Sequence, residues 1–355
     1  MLITFNFGIQ LLIDLLSARF VDKIGYRVSI VLAHIFAAVG LICLIILPDL
    51  FTDAFVGIFI SVVLYAIGGG LIEVLISPIV ESCPSDNKEK AMSLLHSFYC
   101  WGSVGVVLLS TVFFKIFGIE NWKIMALIWA VIPVVNGMIF TKVPIASLIE
   151  EGETGMTIKE LCENKIFWIL MLMMMCAGAS ELSVSQWAST FAEQGLGISK
   201  TVGDLAGPMA FAVLMGSART FYGKFGDRID LDKFMIGSSI LCILSYLCIS
   251  LSPSAIMSLI GCSVCGFSVG IMWPGSFSKA STALHNGGTS LFALLALAGD
   301  IGCSGGPTLV GFISGLASDN LKKGILAGVI FPVLLLVGIL LLRKDFIRTQ
   351  TSGKN

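Results

Sequence analysis

The sequence predicts an all-helical integral membrane protein built from two pseudo-symmetric helical bundles. The 355-residue chain is 56% hydrophobic and 13% charged, whereas soluble domains carry about 25% charged residues. Its mean hydropathy is +0.95. Eleven apolar stretches each approach the roughly 20 residues that a helix needs to cross a bilayer. Segments of the two halves of the chain also resemble each other, which indicates an internal repeat.

Short turns with Pro, Gly, Asp or Asn separate most of the predicted spans. The long polar segment 142–163 is the exception, and it divides five spans from six. We therefore predict an N-terminal bundle at 1–141, an inter-bundle loop at 142–163, a C-terminal bundle at 164–342 and a tail at 343–355. The predicted spans are 1–20, 28–47, 55–82, 90–116, 122–141, 164–191, 199–222, 233–251, 254–277, 288–316 and 322–342.

Three pairs of segments repeat across the long loop at nearly the same separation. Each member of the first pair places an acidic and a basic residue after a span, and the other two pairs share glycines. Such parallel repeats are typical of secondary transporters. The paired segments are 17–27 with 216–230, 68–73 with 266–273, and 93–105 with 290–302.

Basic residues fall unequally on the two sides of the predicted membrane. Seventeen of the 22 lysines and arginines lie on the side of the loop that follows the first span. Cytoplasmic loops carry this excess, so we expect that side, and the C-terminus, to be cytoplasmic in a plasma-membrane protein. Residues 1–17 lack a basic n-region and a cleavage site, which favours a span over a signal peptide.

The loops of the first pair resemble the signature loop of the major facilitator superfamily, Gly-x-x-x-Asp-Arg/Lys-x-Gly-Arg/Lys-Arg/Lys. Ala18 and Tyr26 depart from that pattern. By register, the first span is similar to the family's second helix, so the family's first helix is expected upstream of Met1 or is missing. The matching residues are Asp22, Lys23, Gly25 and Arg27 in the first copy, and Gly223, Asp227 and Arg228 in the second.

The resemblance implies a role for these loops. In the family, a latch formed by this loop keeps the inner side closed while the outer side is open, and Arg219, Asp227 and Arg228 would form the pseudo-symmetric set. Plain anchoring of positive charge on the cytoplasmic side is the alternative.

The segment GGGLIEVLISP at 68–78 is similar to a stretch in the fucose permease branch of that family. In that branch a glutamate on this helix takes part in sugar and proton transport, which implies the same role for Glu73. Burial disfavours the ionised carboxyl group, so a proton carrier is also expected from the physics alone. A protonated structural glutamate is the alternative.

Two other carboxylates, Glu181 and Asp300, lie near the middle of predicted spans. Intramembrane ionisable residues usually mark solute or ion pathways, so both are candidates for solute binding or coupling. No lysine or arginine lies at mid-span, and no cation is expected beside them. The glycines around Asp300 also predict close helix approach.

Several uncharged residues complete the candidate solute site. Asn6 and Gln10 lie on one face of the first span, with Asp14 one turn further, so this stripe is expected to face a cavity or another helix. Gln186 and Trp187 follow Glu181. Trp187 and Trp273 offer aromatic faces of the kind that stack on sugars.

Other functional classes find little support. The net charge of −1 predicts no nucleic-acid partner, the three histidines are scattered, and the ten cysteines lie mostly in apolar runs. Neither a nucleophile–base arrangement nor a nucleotide loop is visible, so we expect no enzyme, cofactor or metal. The sequence predicts a monomeric secondary active transporter that moves a small polar solute together with protons, and sugars are among the candidate solutes. A drug or metabolite exporter and a truncated, non-transporting membrane protein stay open.

Overall fold

A computed structural model describes residues 2–146, 148, 155–196, 203 and 205–352, and every regular element within these residues is helical. Nine helical segments among them are long and apolar enough to cross a membrane. The helices are α1 (Leu2–Ile24), α2 (Tyr26–Leu50), α3 (Ala54–Ser82), α4 (Lys88–Phe117), α5 (Trp122–Phe140), α6 (Ile158–Glu163), α7 (Lys165–Ser185), α8 (Ala188–Leu196), α9 (Ala210–Phe225), α10 (Leu231–Leu251), α11 (Ala255–Val269), α12 (Met272–Ala283), α13 (Gly288–Leu316), α14 (Leu321–Gly328) and α15 (Ile330–Ser352).

The predicted order of spans is found in the structure, with differences in detail. The two predicted spans outside the nine are α1 and α9. A π-helical turn at Leu205–Met209 precedes α9, and the start of its predicted span lies partly outside the described residues. Three predicted spans are interrupted: α7 and α8, α11 and α12, and α14 and α15 each share one. The helix α15 also continues to Ser352, through most of the predicted tail.

Polar side chains define where several helices begin. An N-cap side chain accepts a hydrogen bond from a backbone N–H that has no partner within the first turn. Asp53 accepts from Phe55 N at 2.9 Å, and Asp230 accepts from Lys233 N at 2.9 Å. Gly25, between α1 and α2, has φ of 89°, a left-handed conformation that favours glycine. This backbone conformation explains why a glycine occupies position 25 of the signature loop.

The chain divides into two compact units. One consists of Met1–Pro84, Gly105–Lys159 and Asn286–Leu297, and the other of Ser85–Val104, Glu160–His285 and Ala298–Asn355. The first part of α4 therefore belongs to the second unit, and the first part of α13 belongs to the first unit. Each unit takes a segment from the opposite half of the sequence.

Glycines set the helix packing in the first unit. A Cβ on Gly68 would lie 2.5 Å from Ala37 N, and one on Gly40 would lie 2.5 Å from Tyr65 N. These distances leave no room for a side chain, so the backbones of α2 and α3 pack directly against each other. A buried cluster of Val21, Ile30 and Leu75 joins α1 to the same pair of helices.

The second unit is held by a similar contact between α7 and α13. A Cβ on Gly302 would lie 1.9 Å from Met175 O, and one on Gly306 would lie 2.8 Å from Ala179 Cα. On the facing helix, a Cβ on Gly178 would lie 2.4 Å from Gly299 O. The predicted close approach at the glycines around Asp300 is confirmed at these positions, whereas a Cβ on Gly305 would meet open space.

Candidate functional site

A buried ion pair joins α7 to α9 within the second unit. Arg219 Nη2 donates to Glu181 Oε2 at 3.2 Å, and the two residues are 2% and 8% exposed. The sequence predicts no cation beside the intramembrane carboxylates, and for Glu181 this expectation is wrong. Arg219 escapes detection because it lies near one end of its predicted span. A buried charge needs such a partner, since removing it from water is costly.

Arg219 also completes a broken helix. Pro274 in α12 has no N–H, so the carbonyl of Gly270, four residues earlier, cannot find its usual helical donor. Arg219 Nε donates to Gly270 O at 2.8 Å and replaces it. Non-helical backbone at membrane depth is tolerated where such groups are satisfied by neighbouring protein. The Gly270–Pro274 spacing is a sequence signal that could have indicated this orphaned carbonyl.

The remaining guanidinium donors reach α4. Arg219 Nη1 donates to His96 O at 3.0 Å and to Cys100 Sγ at 3.2 Å. In the opposite direction, Ser93 Oγ donates to Arg219 O at 2.8 Å. One arginine side chain thus joins α4, α7, α9 and the break between α11 and α12.

Aromatic rings pack beside this network. The His96 ring stacks on Phe277 with centroids 5.8 Å apart, and Trp273 meets Phe277 edge-on at 6.2 Å. Trp273 is 8% exposed, and a Cβ on Gly299 would lie 2.2 Å from its ring. The candidate solute-stacking residue Trp273 is therefore packed between α12 and α13 in this structure.

Asp300 is buried on α13. It is 3% exposed, and its Oδ2 has no hydrogen-bond partner among the described residues. Trp187 Nε1 donates to Pro307 O on the same helix at 3.3 Å, whereas Gln186 is exposed at the end of α7. Of Asp300, Trp187 and Gln186, Asp300 is the residue that is both buried and has a carboxylate oxygen without a hydrogen-bond donor among the described residues.

In the first unit, the candidate residues lie where α1 meets α3. A Cβ on Gly69 would lie 3.3 Å from Gln10 Nε2, and one on Gly70 would lie 3.3 Å from the Gln10 Cα. Gly68 faces α2, so three consecutive glycines allow α3 to approach two helices. Glu73 follows one turn later and is half-buried, as are Asn6 and Gln10. The predicted polar stripe therefore faces α3 at Gln10.

The first signature loop contacts the start of α13. Thr289 Oγ1 donates to Asp22 Oδ1 at 2.5 Å, and Tyr26 OH hydrogen-bonds to the same threonine oxygen. Thr289 is fully buried. Arg27 Nη1 donates to Phe140 O and Thr141 O, at 3.0 and 2.8 Å, at the end of α5. Lys23 is exposed.

The second signature loop contacts the start of α4. Lys90 forms an ion pair with Asp227, and Asn87 Nδ2 donates to Asp227 Oδ1 at 3.1 Å. Hydrogen bonding from Lys90, together with its charge, holds the pKa of the Asp227 carboxyl below its usual range. Gly223 lies against Leu94, where a Cβ would be 3.3 Å from the leucine Cβ, and Arg228 is exposed.

The described helices and their intramembrane polar residues define a multi-pass membrane protein with the features of a transporter. The family model of the Major Facilitator Superfamily matches residues 1–307. The chain belongs to the Major Facilitator Superfamily, a family of transporters rather than enzymes. This confirms the predicted family resemblance and the prediction that the protein is not an enzyme. Among curated proteins, none is found that matches this chain.

Solved transporter structures share the fold. The Escherichia coli fucose:proton symporter matches with a TM-score of 0.83 at 13% identity, over 96% of this chain and 90% of that one. A proton:xylose symporter matches with a TM-score of 0.77 at 13% identity, over 97% of this chain and 85% of that one. The human organic anion transporter MFSD10 matches with a TM-score of 0.73 at 16% identity, over 95% of this chain and 82% of that one. Likeness at these identities shows the fold, and it agrees with the predicted resemblance to fucose permease.

Proposed function

We propose that the protein is a secondary active transporter that moves a small polar solute, with sugars as the first class to test, together with protons. Family membership supports transport, and the structural neighbours named as sugar:proton symporters support the choice of solute class and coupling ion. The two halves at 1–141 and 164–342 would alternate in opening the solute pathway.

The observation that carries the coupling part is Glu73, a half-buried carboxyl group one turn from the glycine contact of α3 with α1. An intramembrane carboxyl group can bind and release a proton during a transport cycle. Asn6 and Gln10 would supply hydrogen bonds to a polar solute. In the second unit, Asp300, Gln186, Trp187 and Trp273 are the further candidates, and Glu181 is held by Arg219.

The signature loops would act as gates on the cytoplasmic side of the plasma membrane, where the C-terminus is also expected. Asp22 and Asp227 each contact the first residues of a helix that straddles both compact units. Breaking these contacts would release α13 and α4, respectively. We expect the transporter to act as a monomer.

Transport by purified protein in proteoliposomes tests the proposal. Radiolabelled sugars and other small polar solutes are screened with and without an inward proton gradient. Glu73→Gln mimics the protonated acid, so it should abolish gradient-driven accumulation while solute exchange continues. Glu120→Gln, which changes an exposed glutamate of the same unit, serves as the matched control.

Accumulation that is unchanged in the Glu73→Gln protein would remove Glu73 from coupling. Accumulation that ignores the proton gradient in the parent protein would remove proton symport. The fold likeness to a human organic anion transporter favours one second candidate, export of an organic anion. The same vesicles, loaded with organic anions and assayed for efflux, separate the two functions.

A further inference from the structure

We propose that Arg219 couples the charge of Glu181 on α7 to the docking of α4 on α9. The proposal deepens the proposed transport function and rests on it for its use in a cycle. Its structural basis is independent of any solute, since one guanidinium donates to Glu181, to α4 and to the helix break at Gly270.

Glu181 is the charged member among the acceptors of this guanidinium. His96 O and Gly270 O are neutral carbonyls, and Cys100 contributes a sulfur atom. A cation that is 2% exposed is tolerated because an anion lies beside it. When Glu181 becomes neutral through protonation, Arg219 is left buried without charge compensation. Admitting water is then the favourable response.

Water can reach Arg219 most easily if α4 separates from α9. Four of the 30 residues of α4 are buried (Met92, Ser93, Ser97 and Cys100), compared with 12 of 21 in α7 and 7 of 15 in α11. The helix with the least packing yields first, because fewer apolar contacts oppose its displacement.

The seam between α4 and α9, defined as the contacts of residues 85–104 with residues 219–227, contains several polar contacts. Trp101 Nε1 donates to Thr220 Oγ1 at 3.1 Å, and Tyr222 OH donates to Glu89 Oε2 at 2.8 Å. At its end lies the Lys90–Asp227 pair of the signature loop. Neutralisation of Glu181 would therefore loosen the seam as far as the Lys90–Asp227 pair of the second signature loop.

Native cysteines report on this opening. Cys100 is fully buried beside Arg219, Cys83 is exposed, and Cys176 on α7 is fully buried. The purified full chain is treated with N-ethylmaleimide, and labelling of each cysteine is followed by peptide mass spectrometry. Cys83 serves as the accessible reference and Cys176 as the reporter of general unfolding.

Glu181→Gln is expected to raise the labelling rate of Cys100 by about tenfold or more, because it removes one member of a buried pair. The double variant Glu181→Gln/Arg219→Gln removes both charges and should return labelling toward the parent rate. Asp232→Asn breaks a different pair of the same unit, the one with Lys279 at 2.6 Å, and should leave Cys100 protected.

Neutralising Glu181 also changes the field at the Cys100 sulfur, so a second measurement is needed. Hydrogen exchange of the amides of 88–104 does not depend on thiol chemistry, and it should rise in Glu181→Gln and recover in the double variant. Since neither measurement needs solute or a gradient, both are independent of the Glu73→Gln transport test.

Three results would overturn the coupling role of Arg219. One is unchanged labelling and exchange in Glu181→Gln. Another is a double variant that stays as open as the single one, because charge compensation would then not be the cause. The third is exposure of Cys176 together with Cys100, which would assign Glu181 to holding the fold.

Discussion

The two copies of the signature loop hold the same acidic residue in different ways. Asp22 accepts a hydrogen bond from a fully buried, uncharged threonine, whereas Asp227 pairs with the partly exposed ammonium group of Lys90. Both partners belong to the first residues of α13 and α4. The two loops therefore share the acid and a contact with the first residues of a helix, while the chemistry of the partner differs.

The other end of the loop differs further. Arg27 in the first copy donates to the last carbonyls of α5, where a cation is favourable at a helix C-terminus. The corresponding position of the second copy is Asp232, in the first turn of α10, which pairs with Lys279 on α12. An acid is favourable at a helix N-terminus, so each residue suits the helix end that it contacts. Loop charge alone does not identify the partner.

The largest effect is expected from Thr289→Val. The change removes the hydroxyl shared by exposed Asp22 and half-buried Tyr26, and with it two hydrogen bonds that each contribute about 0.5–1.5 kcal/mol. Hydrogen exchange of residues 286–297 should therefore rise by about tenfold. Thr308→Val is the control, because the Thr308 hydroxyl donates to its own helix at Ser304 O. Unchanged exchange in 286–297 would show that this contact does not hold the start of α13.

A smaller effect is expected from Arg27→Gln. Loss of a cation at a helix C-terminus costs about 0.3–1 kcal/mol, so the last turn of α5 should fray. Amide exchange at 137–141 measures this, and Arg27→Lys should be intermediate because lysine keeps the charge but lacks the guanidinium fork. Asp232→Asn should leave α5 unaffected. If Arg27→Gln and the parent exchange alike, Arg27 does not cap α5.

Salt should distinguish the two copies. The Asp227 side chain is 60% exposed, so its pair with Lys90 is screened by salt, unlike a hydrogen bond from a neutral donor. Exchange of residues 85–104 should rise modestly from low to high salt in the parent and lose this dependence in Asp227→Asn. Residues 286–297 should show little salt dependence. Equal salt dependence of both segments would contradict the difference in partners.

The smallest effect is that of mild acid on the Asp227 contact. Its folded-state pKa is lowered, so the stabilisation is present above the ordinary value of 3.8 and is lost only as pH falls through the lowered folded value. No loss is expected between about pH 7 and pH 5. Carboxyl NMR titration should give an Asp227 midpoint below 3.8 in the parent. Lys90→Gln should move that midpoint upward, and an unmoved midpoint would exclude Lys90 as the cause.

Hydropathy and spacing determined the membrane class, the order of the helices and the close approach of helices at Gly299, Gly302 and Gly306, and they indicated a repeat, whereas the signature loops were indicated by the resemblance to the family's motif. These properties are local, because a span depends on consecutive apolar residues and a helix contact on small side chains one or two turns apart.

Only the tertiary structure decided the partners of the charged groups. Arg219 meets Glu181 across 38 residues and His96 across 123, and Asp22 meets Thr289 across 267. No local pattern reports such distances, because they depend on how helices cross and on which helix ends adjoin. The tertiary structure also decided that Glu181 has a buried cation beside it, since the Arg219 side chain of α9 reaches α7 only after the helices pack.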